Sequence, residues 1–373
     1  MKKKILIDAV GGSNWIGGVY YKKNILFSLF QNEKIRENTQ IDVAVDKKFA
    51  HIFKPFEGQI NIRILNCKNP ILKNLVIGWW ALLGKYDYCY SSVELIPSYL
   101  NKVAINWIPD FQHKYLSHMF REIDIFYREL KFLKYAASRR PLVLSSNTSL
   151  AEFRELYGDK KKNVFVVPFV SYIEDEVRTI TPQREEDILN KYGLSGKKYA
   201  CIMNQFWQHK NHIVVFKAIK ELYEKNPDAD ITFVFTGEMK DYRNPQYIEE
   251  LKSFLPDIES HAKILGFIDR TDQIALMKNS EFVIQPSLFE GWGTVLEDAK
   301  VLDKTVLLSD IAVHREQKSD KCVLFDPNDH STLASVLYDE SRKEHIDDVE
   351  SGIKRMYENA LKYSEAFEEV LDV

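Results

Sequence analysis

Short apolar runs alternate with longer amphipathic segments along nearly the whole sequence. Runs such as KKKILID, IDVAV and KVAINW are typical of strands, and the segments between them have helical spacing. This alternation predicts parallel sheets covered by helices, which is an α/β fold of doubly wound, Rossmann-like type. Because the chain has 373 residues and a single core usually stops growing at ~250–300, we expect two such domains.

One stretch interrupts the alternation and predicts the domain boundaries. After Pro168 the sequence SYIEDEVRTITPQREED is acidic, lacks sustained periodicity and contains Pro182, as interdomain linkers often do. The alternation then resumes with KKYACIMN and DITFVFTG. We predict a first domain at residues 1–172, a linker at 173–186, a second domain at 187–345 and a C-terminal helix at 346–373, whose docking site the sequence does not indicate.

The apolar segments are too short for export or for crossing a membrane. The N-terminal apolar run ends at Asp8, and the longest stretch, residues 75–83, has about half of the ~20 residues that span a bilayer, so we expect a buried helix there. The four cysteines show no C-x-x-C pair, and neither a disulfide framework nor a zinc site is expected. We predict a cytoplasmic protein, with peripheral attachment to the inner face of the membrane left open.

Charge is distributed unevenly between the two halves. Residues 1–180 hold 27 Lys and Arg against 18 Asp and Glu, whereas residues 181–373 hold 24 against 36. The basic half favours an anionic partner, and a phospholipid surface or a lipid-phosphate acceptor fits better than nucleic acid, because no nucleic-acid-binding motif is present. An uneven but solvated surface charge is the alternative.

A basic amphipathic helix is predicted within FREIDIFYRELKFLKYAASRR. It carries Ile123, Phe126, Leu130 and Leu133 at helical spacing, with five Lys and Arg residues nearby. Such a helix either lies on an anionic membrane or packs its apolar stripe on the sheet. The sequence leaves both open.

Glycines follow the first predicted strand closely. Gly11, Gly12, Gly17 and Gly18 surround SNWI and open a helix, where backbone N–H groups and the helix dipole favour an anion. The pattern is not G-x-G-x-x-G, so a nicotinamide site is not supported. A flexible loop is the alternative reading.

Asp110 and His113 follow the strand in INWIPDFQHKYL, at the end of a strand where open α/β sheets bind ligands. A carboxylate and an imidazole at this spacing could orient an acceptor hydroxyl or contact a transferred group. A helix-capping Asp with a surface His is the alternative.

In the second half, NQFWQHKNH lies between a strand and a helix. Lys210, near the start of that helix, is suitably placed to neutralise a diphosphate, and Gln205 can donate a hydrogen bond beside it. His209 and His212 have the spacing of a helical metal pair, but no third ligand is visible and we expect them at a polar rim.

The segment PSLFEGWGTVLEDAK is the most specific signal. A glutamate, Glu290, precedes Gly-Trp-Gly, and a helix with two further carboxylates follows. Backbone donors at a helix N-terminus suit a pyrophosphate, and carboxylates suit sugar or ribose hydroxyls. The predicted ligand contacts are Glu290, Gly291, Trp292, Gly293, Thr294, Glu297 and Asp298. Asp228 and Asp230 have the spacing of a metal-binding Asp-x-Asp but are expected in a turn, so no metal is predicted.

These motifs, together with SSNTSLAEFRELYG, VVPF, FTGE and LGFI, resemble in order family 4 of the retaining glycosyltransferases, known also as glycosyl transferases group 1. The resemblance covers most of the chain and implies the GT-B fold, two Rossmann-like domains with an interdomain cleft. It implies Gly17 and Gly18 at the acceptor and donor phosphates, Lys210 on the diphosphate, and backbone around Phe267 and Ile268 flanking the base. Asp110 and His113 would lie near the transferred sugar, which Glu290 would bind.

Two departures from the family pattern affect the donor site. Only six residues separate Glu290 from Glu297 where the family has seven, so either Glu297 or Asp298 could hold the ribose. Gln205 stands where the family usually has Arg, which removes one positive charge.

The resemblance implies a metal-independent enzyme, needing no cofactor, that transfers a hexose from a nucleotide-diphosphate sugar to a saccharide or lipid-linked saccharide, with retention of configuration. Synthesis of a surface polysaccharide or glycolipid is the expected role. The alternatives are a nucleotide-sugar epimerase or phosphorylase of the same fold, or a non-catalytic nucleotide-sugar-binding subunit.

Overall fold

The computed structural model of the chain describes residues 2–10, 16–67, 69–91 and 104–372. They form two compact units. The first comprises Met1–Phe111, Glu122–Tyr172 and Met356–Val373, and the second Gln112–Arg121 and Ile173–Arg355. Each unit contains one parallel sheet with flanking helices, so the predicted fold class is confirmed. Gly11 and Gly12 lie outside the described residues.

The first unit is built on a parallel sheet that shows seven strands in the described ranges. They are β1 (Lys3–Asp8), β2 (Thr39–Val45), β3 (Ile60–Ile64), β4 (Tyr88–Ser91), β5 (Ala104–Ile108), β6 (Leu142–Leu144) and β7 (Val164–Val166). Their order is β3-β2-β1-β4-β5-β6-β7. All five residues of β5 are buried, because helices cover both faces of a parallel sheet.

Within the described ranges, six α-helices precede the boundary between the units at Tyr172. They are α1 (Ile16–Phe30), α2 (Glu33–Asn38), α3 (Pro70–Leu83), α4 (Gln112–Tyr115), α5 (Glu122–Ala137) and α6 (Asn147–Tyr157), of which α4 belongs to the second unit. Ile77 and Ala81 of α3 pack with Leu6 and Cys89, whereas Phe132 of α5 packs in a separate cluster.

The outward sides of α3 and α5 differ from the prediction. Residues 75–83 were expected in a buried helix, yet Leu75, Trp79, Leu82 and Leu83 are 50–62% exposed. Residues 75–83 of α3 are apolar on all sides, and the sheet covers only one of them. The apolar stripe of α5 does not pack on the sheet either, because that contact is made by Phe132 and its neighbours.

The second unit is built on a parallel sheet of six strands in the part of the chain that the structure describes. They are β8 (Tyr199–Met203), β9 (Thr232–Thr236), β10 (Ala262–Ile264), β11 (Phe282–Gln285), β12 (Thr305–Ser309) and β13 (Cys322–Phe325). Their order is β10-β9-β8-β11-β12-β13. Its core is formed by the inward residues of these strands, with Val215, Ile219 and Leu222 of the helix after β8.

The later helices complete both units. They are α7 (Glu174–Thr179), α8 (Pro182–Lys191), α9 (His212–Lys225), α10 (Pro245–Ser253), α11 (Leu255–Ile258), α12 (Arg270–Lys278), α13 (Thr294–Val301), α14 (Ala312–Gln317), α15 (His330–Ser341) and α16 (Val349–Leu371). The residues of α16 from Met356 onwards belong to the first unit, where Phe367 contacts Tyr90.

The stretch expected to be an irregular linker is helical. Thr181 caps α8 through its hydroxyl, and Pro182 occupies the first turn, where it is compatible with a helix. Pro182, which indicated an interdomain linker, therefore starts a helix. All four cysteines carry free thiols. Within the described ranges no helix has both the length and the apolar character needed to cross a membrane.

Candidate functional site

The central strands of the second sheet bring two distant segments together. β8 and β11 are neighbours, and the chain winds outward from them in opposite directions. Open α/β sheets bind ligands at such a reversal, beyond the carboxyl ends of the strands. The two predicted segments, residues 204–212 and 286–293, follow β8 and β11 directly. They therefore meet at the expected position for a ligand.

Glu290 and Lys210 form an ion pair at this point. Lys210 Nζ lies 2.5 Å from Glu290 Oε1, and the two side chains are only 16% and 10% exposed. The same oxygen accepts hydrogen bonds from Gln285 Nε2 at 3.0 Å and from Ser287 Oγ at 2.7 Å. Among the residues that the structure describes, none donates a hydrogen bond to Oε2. The carboxylate is thus held in place through one oxygen.

Buried polar groups form hydrogen bonds to Gln285 and Ser287, the two residues that donate to Glu290. Asn204 donates to Gln285 Oε1 at 2.9 Å, which orients the amide so that its nitrogen faces Glu290. Ser309 Oγ donates to the carbonyl oxygen of Ser287 at 2.6 Å. Sequence reasoning did not single out these residues, although a hydroxyl three positions before Glu290 in a short turn was a usable signal.

His314 of α14 adds a neutral imidazole to this group of buried polar residues, beside Ser309. Its Nδ1 lies 2.9 Å from the carbonyl oxygen of Ser309, so Nδ1 carries the proton and donates. Its buried Nε2 has no hydrogen-bond partner among the residues that the structure describes. Burial lowers the pKa of His314, while the nearby Glu290 carboxylate acts in the opposite direction. Sequence reasoning missed this residue, which stands 24 positions beyond Glu290.

Hydrogen bonds join the turn that carries Lys210 to the turn before Glu290. Asn211 has a left-handed backbone, with φ of 53°, and its amide nitrogen donates to the carbonyl oxygens of Pro286 at 3.2 Å and Pro327 at 2.8 Å. Leu288 N–H donates to the carbonyl oxygen of His209 at 2.8 Å. These bonds fix the position of Lys210 relative to Glu290.

The two histidines of this turn do not form a polar rim, which was the expectation. His209 and His212 are 6% and 0% exposed. His212 stacks on Phe206 with ring centroids 4.1 Å apart, and burial lowers the pKa of its imidazole to about 3. It is a neutral core residue, because the first turn of α9 faces the sheet. No metal-binding group of three His, Cys, Asp or Glu occurs within the described part of the chain.

Gln205 contacts the segment that follows β9. Its Oε1 accepts from the backbone N–H of Glu238 at 2.9 Å, so the side-chain nitrogen is the group that can donate elsewhere. The adjoining Gly237 has φ of +115°, and a Cβ there would lie 2.3 Å from the carbonyl oxygen of Asn204. Only glycine allows the two segments to lie this close.

The Gly-Trp-Gly turn leads into α13. Gly291 and Gly293 are buried, Trp292 is half-buried and Thr294 is exposed. The N–H of Gly293 donates to Gln317 Oε1 at 2.9 Å, and Gln317 Nε2 donates back to the carbonyl oxygen of Gly293 at 2.8 Å. The Gly293 amide, expected to face a pyrophosphate, is therefore occupied by a side chain of α14.

The two carboxylates of α13 point to different partners. Glu297 accepts from Gln317 Nε2 at 2.8 Å and from Lys300 Nζ at 2.9 Å, which joins α13 to α14. Asp298 is 1% exposed and pairs with Arg270 at 2.5 Å. Arg270 begins α12, directly after the segment that contains Phe267 and Ile268. Of the two carboxylates, Asp298 is the one linked to that segment.

The segment predicted to flank the base follows β10. Phe267 is 57% exposed, Ile268 is half-buried, and Gly266 has φ of +69°. The carbonyl oxygen of Gly266 accepts from the N–H of Gly237 at 2.8 Å, so the turns after β9 and β10 are joined. An exposed aromatic ring beside a fixed backbone is a suitable surface for a nucleobase.

His113 lies in α4, within the second unit. It is buried, and Tyr115 two residues later stacks on Phe289 with ring centroids 5.7 Å apart. Phe289 immediately precedes Glu290. The stacking of Tyr115 on Phe289 joins the segment of His113 to the segment of Glu290.

The remaining predicted residues lie in the first unit. Gly17 and Gly18 are in the first turn of α1, where Gly17 is exposed with no atom near the position of a Cβ, and Gly18 is buried. Asp110 follows β5 and forms an ion pair with Arg128 of α5 at 2.7 Å. Asp110 is therefore already neutralised by a guanidinium from α5.

Lys22 of α1 is a buried cation that the sequence did not reveal. Its Nζ lies 4.0 Å from the ring centroid of Tyr90, with Tyr21 and Trp107 slightly farther away. It has no hydrogen-bond partner among the described residues. Burial lowers the pKa of Lys22 to about 7, and the Asp8 carboxylate acts in the opposite direction.

Known proteins resemble the chain in sequence over the second unit and in fold throughout. Residues 184–346 match the family model described as glycosyl transferases group 1. The predicted resemblance to that group is thereby confirmed, on a match that covers slightly less than half of the chain. None of the curated protein sequences matches.

Solved structures of the GT-B type share the fold at low sequence identity. A glycosyltransferase from Rickettsia africae has 18% identity and a TM-score of 0.67, with 99% of each chain covered. Anabaena Alr3699/HepE, in complex with UDP and glucose, has 15% identity and a TM-score of 0.71 over 99% of each chain. An Escherichia coli trehalose-6-phosphate protein bound with UDP-2-fluoro glucose has 11% identity and a TM-score of 0.70, covering 100% of this chain and 99% of that chain.

Proposed function

We propose that the chain, whose residues 184–346 are those of a group 1 glycosyl transferase domain, is a retaining, metal-independent hexosyltransferase of family 4. Its donor is a nucleotide-diphosphate sugar, and UDP is the nucleotide that we favour because two of the structures with the same fold were determined with UDP or a UDP-sugar. Its acceptor is a saccharide or a lipid-linked saccharide. Synthesis of a surface polysaccharide or glycolipid is the corresponding role.

The Lys210–Glu290 pair is the observation that supports this proposal most strongly. It places a cation and a carboxylate 2.5 Å apart at the winding reversal of the second sheet, both largely screened from water. A diphosphate needs a cation, and a sugar hydroxyl needs an acceptor. One fixed pair offers both, at the position where a nucleotide-sugar would present its phosphates next to its sugar.

The proposed reaction exchanges one bond to the anomeric carbon for another on the same face. The bond from that carbon to the diphosphate oxygen breaks, the acceptor oxygen bonds to the carbon, and the acceptor proton passes to the departing phosphate. Lys210 stabilises the negative charge that develops on the diphosphate. Glu290 accepts a hydrogen bond from the sugar through Oε2, and His113 and Asp110 position the sugar and the acceptor. Charge stabilisation by Lys210 is the basis for proposing that no metal is needed.

Asp298 is our choice for the ribose carboxylate. Its partner Arg270 connects it to the turn with Phe267 and Ile268, which we propose flanks the base. Glu297 instead accepts from Gln317 and Lys300 and holds α13 against α14. Since the ribose is bonded to the base, the carboxylate linked to the base-flanking turn is the better candidate.

Incubation with UDP-, GDP- and ADP-hexoses and a panel of saccharide acceptors in EDTA tests the proposed reaction. We expect transfer from one nucleotide series, with the anomeric configuration of the donor kept in the product, as read by NMR. Lys210→Met and Glu290→Gln should each lower kcat/KM by about 100-fold or more. Lys220→Met, a change of an exposed lysine on α9, is the matched control and should leave turnover unchanged.

Four results would contradict the proposal. An inverted product would exclude the retaining reaction, and loss of transfer in EDTA would exclude metal independence. Conversion of the donor to another sugar isomer without acceptor would indicate an epimerase. Saturable donor binding without turnover on any acceptor would instead indicate a nucleotide-sugar-binding subunit, a reading that the neutral Gln205 would then help to explain.

A further inference from the structure

Arg243 is a buried cation in the loop between β9 and α10, beyond the same edge of the second sheet as Lys210. Its side chain is only 9% exposed, and its Nε lies 3.5 Å from Asp241 Oδ1. That nitrogen has no hydrogen-bond partner among the residues that the structure describes. A guanidinium so far removed from water needs further contacts to compensate for its lost hydration.

Two aromatic rings from different segments supply those contacts. The guanidinium carbon of Arg243 lies 4.9 Å from the ring centroid of Phe120 and 5.3 Å from that of Trp207. Both distances are within the ~6 Å over which a guanidinium is attracted to an aromatic face. Phe120 belongs to the segment of His113, and Trp207 belongs to the turn of Lys210. The guanidinium therefore contacts both segments.

Asp241 fixes the loop of Arg243 against the turn of Lys210. Its Oδ2 accepts from the backbone N–H of Gln208 at 3.0 Å, and its Oδ1 accepts from the backbone N–H of Arg243 at 3.0 Å. Asn244 Nδ2 donates to Gln208 Oε1 at 2.8 Å. Because these bonds lie on both sides of Arg243 in the sequence, the backbone at this residue is held relative to the turn after β8.

The ring of Phe120 extends this contact to His113. The two ring centroids are 6.4 Å apart with the ring planes at 77°, which is an edge-to-face arrangement. His113 is buried, so its imidazole cannot shift unless the packed groups around it shift as well. On the other side, the rings of Trp207 and His209 lie 5.7 Å apart, one residue before Lys210. Packed side chains thus connect the two segments continuously.

We propose that Arg243 is a positioning residue, which fixes His113 relative to Lys210. It acts through the rings of Phe120 and Trp207. A guanidinium suits this role because it is planar and delocalised, so it stacks on aromatic rings while its edge pairs with a carboxylate. The consequence for transfer rests on the proposed function, in which His113 positions the sugar and Lys210 binds the diphosphate. The link between the two segments does not rest on it.

Positioning of this kind predicts a loss of turnover without a loss of nucleotide binding. If His113 moves relative to the diphosphate, the sugar is presented in a less reactive orientation, and a misplacement of about 1 Å can cost on the order of 100-fold in rate. The turn of Lys210 keeps the bonds from Asn211 to the carbonyl oxygens of Pro286 and Pro327. Its affinity for a nucleoside diphosphate should therefore persist.

The histidine rings on either side of Arg243 report its role without any substrate. In protein made with isotope-labelled histidine, NMR resolves the imidazole signals, and His113→Gln and His209→Gln assign two of them. We expect Arg243→Met to shift the signals of His113 and His209, because the aromatic rings beside both imidazoles lose their common contact.

Arg342→Met is the matched control for this measurement. Arg342 follows α15 in the second unit, is exposed, and lies 5.2 Å from the ring centroid of Tyr338. Its substitution also removes a guanidinium from an aromatic ring, but one that contacts neither histidine segment. We expect the signals of His113 and His209 to stay at their wild-type positions, and turnover to be unchanged.

Kinetics and calorimetry measure the effect on the reaction. With the nucleotide-hexose that the wild type uses among UDP-, GDP- and ADP-hexoses, Arg243→Met should lower kcat by about 10-fold or more. The Kd of the corresponding nucleoside diphosphate should stay at its wild-type value. Arg243→Lys should not restore kcat, because an ammonium cannot stack on two rings. Thermal unfolding checks that each variant is folded.

Phe120→Leu provides a second route to the same link, since it leaves Arg243 and Asp241 in place. It should lower kcat to a similar extent. The double variant Arg243→Met/Phe120→Leu should turn over no more slowly than Arg243→Met, because both substitutions break one connection.

Four outcomes would overturn the inference. They are unshifted His113 and His209 signals in folded Arg243→Met, a normal kcat in that variant, an equal loss of nucleotide affinity and kcat, and additive effects of Arg243→Met and Phe120→Leu. The third would assign Arg243 a general structural role in the donor site. Shifted signals in a protein whose wild type transfers no sugar would instead support the positioning and refute the proposed reaction.

Discussion

Removing either partner of the Lys210–Glu290 pair should destabilise the protein before any ligand is added. Breaking a buried ion pair costs about 3–5 kcal/mol, because it leaves a charge without a partner. Here the side chains retain 16% and 10% exposure, and Gln285 and Ser287 still donate to Glu290 when the lysine is lost. We therefore expect Lys210→Met and Glu290→Gln each to cost roughly 2–3 kcal/mol of unfolding free energy.

The double variant Lys210→Met/Glu290→Gln isolates the interaction. With both charges absent no buried charge lacks a partner, so its cost should be about that of one single variant, giving a coupling energy of roughly 2 kcal/mol. The measurement is urea unfolding followed by tryptophan fluorescence, without nucleotide. The exposed pair Lys220–Asp257, at 2.8 Å with 41% and 42% exposure, is the control and should couple by no more than about 0.5 kcal/mol. Equal coupling in the two pairs would refute the reasoning.

Three further predictions concern other parts of the molecule. Lys22→Met should raise the unfolding free energy by a few kcal/mol at neutral pH. The pKa of Lys22 is about 7 in the folded state and 10.5 in the unfolded chain, so the unfolded chain binds more protons between these pH values. The unfolding free energy of the wild type should therefore rise with pH from about 7 to 10.5. The same pH dependence in Lys22→Met would contradict this. Asp298→Asn should raise the KM for the donor about tenfold, whereas Glu297→Gln should mainly lower the Tm; steady-state kinetics and thermal unfolding would expose the reverse pattern. Gly237→Ala should cost at least about 2 kcal/mol in urea unfolding, because φ is +115° and a Cβ would meet backbone; a neutral result would show that the turn is adaptable.

Much of the fold could be predicted because it depends on local pattern. Apolar runs of strand length between amphipathic segments indicated two parallel sheets, and both are present. Helix α8 was not predicted because Pro182 and the acidic composition indicated a linker, whereas proline is tolerated in the first turn of a helix. The outward side of α3 was misjudged for a different reason. A helix that is apolar all round looks buried in sequence, and only the structure shows which side the sheet leaves uncovered.

The candidate site could be predicted in its parts but not in its assembly. Glu290 and Lys210 were each recognisable from their turns. Their pairing depends on the strand order that places β8 beside β11, and hydrophobic periodicity carries no information on strand order. Contacts between residues that are distant in sequence could not be predicted either. Gln317 of α14 accepts from the Gly293 N–H, and His314 of the same helix donates to the carbonyl oxygen of Ser309. Both contacts depend on how α14 packs, which the local sequence does not specify.

Titration of UDP into the protein by calorimetry, in the presence of EDTA, is the most direct test of the proposed donor site. We predict one site per chain, and a loss of affinity of about 10- to 100-fold in Lys210→Met, because a hydrogen bond from a charged donor is worth about 1.5–3 kcal/mol. Lys220→Met should bind UDP as the wild type does. Equal affinity of Lys210→Met and wild type, or binding that requires a divalent metal, would contradict the account.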